Sequence, residues 1–140
     1  MKSNDVLKFN QFIARSPESV WRALTDPGLL AKWWVPGDIK PVVGHRFTLD
    51  LGPWGTQQCQ VLEVEEKALL SHTFAEGLLN AKIVWCLVPE GSGTRLFLEH
   101  GGFDTDTPQG KQAFDGMGRG WPSVINRIED AMTEPRKSQQ

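Results

Sequence analysis

Apolar and polar residues alternate through the middle of the chain, and segments with helical spacing flank that region. Residues 39–51 place His45, Phe47, Leu49 and Leu51 on one side and Arg46, Thr48 and Asp50 on the other, the period-two pattern of a half-buried strand. After Gly52-Pro53-Trp54-Gly55, residues 56–65 set Gln58, Gln60, Leu62 and Val64 against Cys59, Val61, Glu63 and Glu65. Residues 68–75 present Leu70, His72 and Phe74 on one face. Residues 80–89 put Ile83, Trp85 and Leu87 opposite Lys82, Val84 and Cys86. Gly91-Ser92-Gly93 reads as a hairpin turn. Residues 94–101 then offer Leu96, Leu98 and His100 against Arg95, Phe97 and Glu99. Residues 5–15 alternate well enough to form a first strand.

Helix signals bracket this meander. Ser16-Pro17-Glu18 supplies a cap, a first-turn proline and a first-turn acid. Val20, Trp21 and Leu24 make the apolar side, Asp26-Pro27-Gly28 ends the helix, and residues 29–34 predict a second short one. Thr107-Pro108 opens the last helix, where Phe114, Met117, Trp121, Ile125, Ile128 and Met132 recur at three- and four-residue steps. Gly116, Gly118, Gly120 and Pro122 interrupt that stripe. Proline removes one hydrogen bond and crowds the carbonyl four residues back, at Gly118, so a kink or break is expected there. An antiparallel sheet of about six strands, two short helices after the first strand and one long amphipathic C-terminal helix make an α+β architecture.

At 140 residues the chain is the size of one domain, read as residues 1–133 with a disordered tail at 134–140. Six Trp and seven Phe stand beside no Tyr at all. A net charge of −2 and a pI near 5.9 offer no basic field for a nucleic acid. The longest apolar run, residues 83–88, falls far short of the roughly 20 residues of a membrane helix. The opening MKSNDVLKFN has no apolar stretch of the secretory kind. The expectation is a cytoplasmic protein with no membrane or nucleic-acid partner, either monomeric or a homodimer.

The segments SPESVWRALTDPGLLAKWW (16–34), VVGHRFTLDL (42–51), VLEVEE (61–66), GSGTRLFLEHGGF (91–103) and Gly120-Trp121 occur in that order. Together they resemble the bacterial AHSA1-like proteins, relatives of the C-terminal domain of the heat-shock chaperone ATPase activator. These belong to the START and birch-pollen-allergen (SRPBCC) superfamily. The resemblance implies a helix-grip fold, a curved antiparallel sheet wrapped around the C-terminal helix with a hydrophobic cavity between them. It implies binding of hydrophobic or polycyclic small molecules, polyketide-cyclase chemistry in some members, and a stress-response link through the chaperone. His45 stands where the family's second glycine of a GG pair is usual, and Pro122 follows the GW pair; both fall where they would shape the cavity mouth.

The inward face deduced from alternation carries Phe47, Leu49, Gln58, Gln60, His72, Phe74, Trp85, Leu98 and His100, with Met117, Trp121 and Ile125 opposing it from the helix. An apolar wall with a few polar groups is the make-up of a small-molecule pocket, although the same residues can simply fill a core. Gln58 and Gln60 favour the pocket, because buried amides need water, a partner or a ligand. No carboxylate takes the inward phase, so catalytic residues are read as none. His72 or His100 would carry any cyclase- or hydrolase-like reaction. His72 and His100 fall two strands apart and His45 two strands away on the other side of His72, too far to share one metal ion, and no cofactor is implied. Cys59 and Cys86 share the outward phase, with a strand between them, and are read as free thiols. Trp33 and Trp34 would form a lid, a surface patch or a packing contact, pointing in different directions. The reading that follows is non-catalytic binding of a hydrophobic or aromatic small molecule. The alternatives are an enzyme using an inward histidine and, by analogy only, a chaperone-associated ATPase activator.

Overall fold

The computed structural model describes residues 6–76, 81–103 and 106–131. Met132 and the tail at 134–140 lie outside these residues. Strand β1 (Val6–Ile13) leads into helices α1 (Pro17–Thr25) and α2 (Pro27–Trp33). Five strands follow: β2 (Arg46–Asp50), β3 (Thr56–Glu65), β4 (Leu69–Phe74), β5 (Ala81–Glu90) and β6 (Gly93–Gly101). Helices α3 (Pro108–Ile125) and α4 (Ile128–Ala131) close the order. The strands form one curved antiparallel sheet in the order β1-β6-β5-β4-β3-β2. The fold is the α+β helix-grip, with β1 and β2 at the two edges.

Local chemistry sets the helix boundaries. Ser16 Oγ accepts from Ser19 N (3.2 Å) and Pro17 occupies the first helical position, as the capping pattern predicts. Asp26 then serves both helices: its N–H donates to Arg22 O (2.8 Å) to finish α1, and its carboxylate accepts from Gly28 N (2.8 Å) to start α2. One residue thus turns the corner, and α2 begins at Pro27, two residues before its expected start. Gly37 lets the following segment lie against β2. A Cβ there would fall 2.6 Å from Leu49 Cδ2 and 2.7 Å from Thr48 O.

Helix α3 departs from expectation at its proline. It runs through Pro122 and stops three residues later, where Asn126 and Arg127 turn the chain into α4. The break lies after Ile125, so the single long C-terminal helix is a long piece and a short one. Trp121, Ile125, Ile128 and Ala131 are all buried, and burial of that stripe holds a segment whose glycines and proline disfavour helix. Gly118 brings α3 close to β1, since a Cβ there would lie 3.2 Å from Leu7 Cδ2. No helix among the described residues is long and apolar enough to cross a membrane.

Candidate functional site

Alternation places the inner wall as expected on four strands. Phe47 and Leu49 from β2, His72 and Phe74 from β4, Trp85 from β5, and Leu98 and His100 from β6 are all buried. From the opposite side, Trp121 and Ile125 of α3 are buried and Met117 is half-buried. Trp85 and Trp121 meet edge to face across the grip, with centroids 5.6 Å apart.

Strand β3 is out of phase with the expectation in its first half. Cys59 and Val61 are buried, while Gln58 is exposed and Gln60 half-buried. The cause is a bulge: Val61 pairs with His72 and Glu63 with Ser71, leaving Leu62 as an extra residue. One inserted residue inverts every side chain on one side of it. Beyond the bulge Val64 faces inward, and Glu63 and Glu65 face solvent. Gln60 is satisfied on the outer side, where its Oε1 accepts from Arg46 Nη1 (3.2 Å) and its N–H donates to Thr73 Oγ1 (2.8 Å). Arg46 also pairs with Glu76 (2.7 Å), and Thr73 Oγ1 donates to Glu76 (2.7 Å). The two glutamines therefore leave the inward set, and Cys59 joins it. Both cysteines are free, with Cys86 alone on the outer face. Burial pushes the Cys59 thiol up to about 11.

Two tryptophan–histidine pairs stand among the buried polar groups, which also include Ser71 and Thr94. Trp85 Nε1–H donates to His72 Nε2 (3.3 Å), and His72 Nδ1–H donates to Thr73 O (2.8 Å). Trp121 Nε1–H donates to His100 Nδ1 (3.0 Å). An indole nitrogen only donates and a carbonyl only accepts, so both rings are neutral with opposite tautomers. Burial drives the histidines in the same direction, His72 down to about 4 and His100 down to about 3. Neither has a carboxylate partner to hold it as a base. Among the described residues, no group of three His, Cys, Asp or Glu is placed to hold a metal ion.

Four further rings join the inward set. Trp33 is fully buried, donates to Ala23 O (2.8 Å) and meets Trp85 at 5.7 Å, and half-buried Trp34 also reaches into the cluster. Trp34 lies 5.1 Å from Trp121, 6.1 Å from Trp85 and 6.1 Å from Phe74, centroid to centroid. Phe103 packs on His100 at 4.6 Å, and Phe114 of α3 packs on Phe103 at 5.5 Å. Phe103 lies beyond the last alternating run, where period-two reading ends, although its place three residues after His100 in GGF was a usable signal. His45, just before β2, stacks parallel to Phe47 at 6.4 Å and lies with Nε2 3.1 Å from Asp38 O.

Residues 14–133 match the family described as activator of Hsp90 ATPase homolog 1-like protein. A Mesorhizobium loti protein structure is 33% identical, with a TM-score of 0.81 over 91% of this chain and 96% of that one. A Bacillus halodurans protein in solution is 27% identical, with a TM-score of 0.78 over 94% and 99%. The solution structure of the Aha1 dimer from Colwellia psychrerythraea, 19% identical, has a TM-score of 0.77 over 94% and 98% and shares the fold. None of the curated proteins matches the chain. With the helix-grip geometry and the match over nearly its whole length, the chain belongs to the AHSA1-like family.

Proposed function

We propose that the protein binds a hydrophobic, aromatic small molecule between the sheet and α3 and does no chemistry on it. The observation that carries this reading is the make-up of the inner wall. It is lined by Phe47, Leu49, Phe74, Trp85, Leu98, Trp121 and Ile125, has two neutral histidines, and receives no carboxylate or cation from the described strands. On the α3 side, Ala113, Phe114 and Met117 are only half-buried although they pack against the core. A ligand seated there would cover apolar surface now left in water. A histidine is most effective as a general acid or base when it titrates near the working pH, and burial has moved both rings well below neutral. A cytoplasmic location goes with this reading.

Native mass spectrometry of gently purified protein should show a one-to-one adduct of an aromatic compound. Titration with naphthalene derivatives should quench tryptophan fluorescence saturably. Absence of both an adduct and saturable quenching would sink the proposal. We also propose a homodimer, supported by the dimeric state of the Colwellia relative. Light scattering behind size exclusion should give twice the 15.7 kDa chain mass; a monomer at all accessible concentrations excludes it.

A further inference from the structure

The two tryptophan–histidine pairs are alike in design but not in completion. His72 uses both ring nitrogens, one toward Trp85 and one toward the Thr73 carbonyl. His100 uses only Nδ1, which accepts from Trp121. The proton of its neutral ring must then sit on Nε2, and Nε2 is buried with no hydrogen-bond partner among the described residues. The residue is 0% exposed. A buried donor left unpaired is costly and uncommon in native proteins. Phe74 packs on the ring edge to face at 4.9 Å, and an aromatic face is a weak substitute for an oxygen acceptor.

Building on the binding reading above, we propose that His100 is the polar anchor of the site, donating its Nε2–H to a neutral carbonyl oxygen on a flat aromatic ligand. The class follows from the surroundings. An N–H takes an acceptor, which rules out a ligand whose polar group only donates. A carboxylate would lose its hydration with one neutral donor in return, and no inward lysine or arginine on the described strands offsets that loss. A cationic ligand would find no inward carboxylate. Ketones, quinones and lactones fused to or borne on aromatic rings remain. Trp121 is the positioning residue, since its indole N–H fixes the tautomer that makes Nε2 the donor. Phe103 packs on His100 and half-buried Phe114 of α3 packs on Phe103, so these two rings link His100 to the half-exposed side of α3.

The test uses two probes of one shape, 2-acetylnaphthalene and 2-isopropenylnaphthalene, which differ by a carbonyl oxygen in place of a methylene. Affinities for both are measured on the full chain and on His100→Phe. The preference for the ketone over the hydrocarbon should fall about tenfold in the variant, the size expected for one net hydrogen bond. If both probes bind and the preference is the same in both proteins, His100 is not the anchor, while the binding reading stands. If neither probe binds the unmodified protein, the binding reading fails and the anchor with it. Nitrogen-15 NMR of the unmodified protein needs no variant. The His100 Nε2 proton should move downfield on adding the ketone and stay in place with the hydrocarbon; no selective movement overturns the proposal.

Discussion

Lowering the pH from 7 to 5 should cost this fold far more than it costs most domains of its size. The perturbation acts on His72 and His100, which burial holds down at about 4 and about 3 in the folded chain. In the unfolded chain both titrate near 6.5. Between those values the unfolded state binds more protons, so the stability from keeping these rings neutral is complete above about pH 6.5. It is lost as the pH falls toward the folded values. Each histidine gives a slope approaching about 1.4 kcal/mol per pH unit. From pH 7 to pH 5 the loss is roughly 2 kcal/mol for each and about 4 kcal/mol for the pair, a large share of the about 5–15 kcal/mol that holds an ordinary domain. Unfolding entropy of about 2.1 cal/mol/K per residue converts that loss into a fall in Tm of about 13 °C. Asp38 and Glu90 are also held below their ordinary values of 3.8 and 4.5, but an unfolded carboxylate takes up its proton mostly below this window. Urea unfolding followed by far-UV circular dichroism at half-unit steps measures the slope. His100→Phe should roughly halve it between pH 5 and 6. A flat profile, or one that neither His72→Phe nor His100→Phe alters, would refute the reasoning.

Three further outcomes are expected. Gly116→Ala should stabilise the fold by about 0.5–1 kcal/mol, because the position is helical and, its immediate neighbours and its own helix's backbone aside, nothing lies within 4 Å of the added Cβ; a lower urea midpoint would show that this stretch is not helical in solution. Gly37→Ala should destabilise by roughly 1–3 kcal/mol, since backbone cannot yield as a side chain does and Thr48 O sits 2.7 Å from the new carbon. Maleimide labelling read by mass spectrometry should modify half-buried Cys86 in the native protein and reach Cys59 only on unfolding, its thiol being buried and raised to about 11; equal rates for the two would contradict the inward placement of Cys59.

How much was legible in the sequence differs from strand to strand for a physical reason. On β2, β4, β5 and β6 the large inward side chains keep a period of two through the middle of each strand, even where Ser71 is buried out of phase, so alternate residues give Phe47, His72, Phe74, Trp85, Leu98 and His100 directly. Strand β3 breaks its period at Leu62. Its buried residues are Cys59 and Val61, followed by half-buried Val64, a spacing of two and then three that one phase cannot fit. Starting from the Val64 end gives the right face beyond the bulge and the wrong one before it, so period-two reading turns Gln58 and Gln60 inward where the structure turns Cys59 and Val61 inward. Helical reading found Met117, Trp121 and Ile125, because a stripe survives glycine and proline interruptions when burial favours it. Trp34 was legible only as half of a pair. Both indoles reach Trp85, fully buried Trp33 and half-buried Trp34 alike, and no local pattern records that packing. The Asp26 corner shows the reverse case, where a single residue type states both the end of one helix and the start of the next.

The nearness of four indoles has a consequence for light as well as for packing. Trp33, Trp34, Trp85 and Trp121 form a closed network in which every contacting pair lies within 6.1 Å, at angles from 26° to 89°. At such separations their transition dipoles couple, so each ring's ultraviolet circular dichroism carries a contribution from its neighbours. The interior is therefore a set of coupled chromophores built into the grip. Its exciton couplet would be set by how Trp34 leans on the other three, so a change of one ring's tilt becomes a signal from all four.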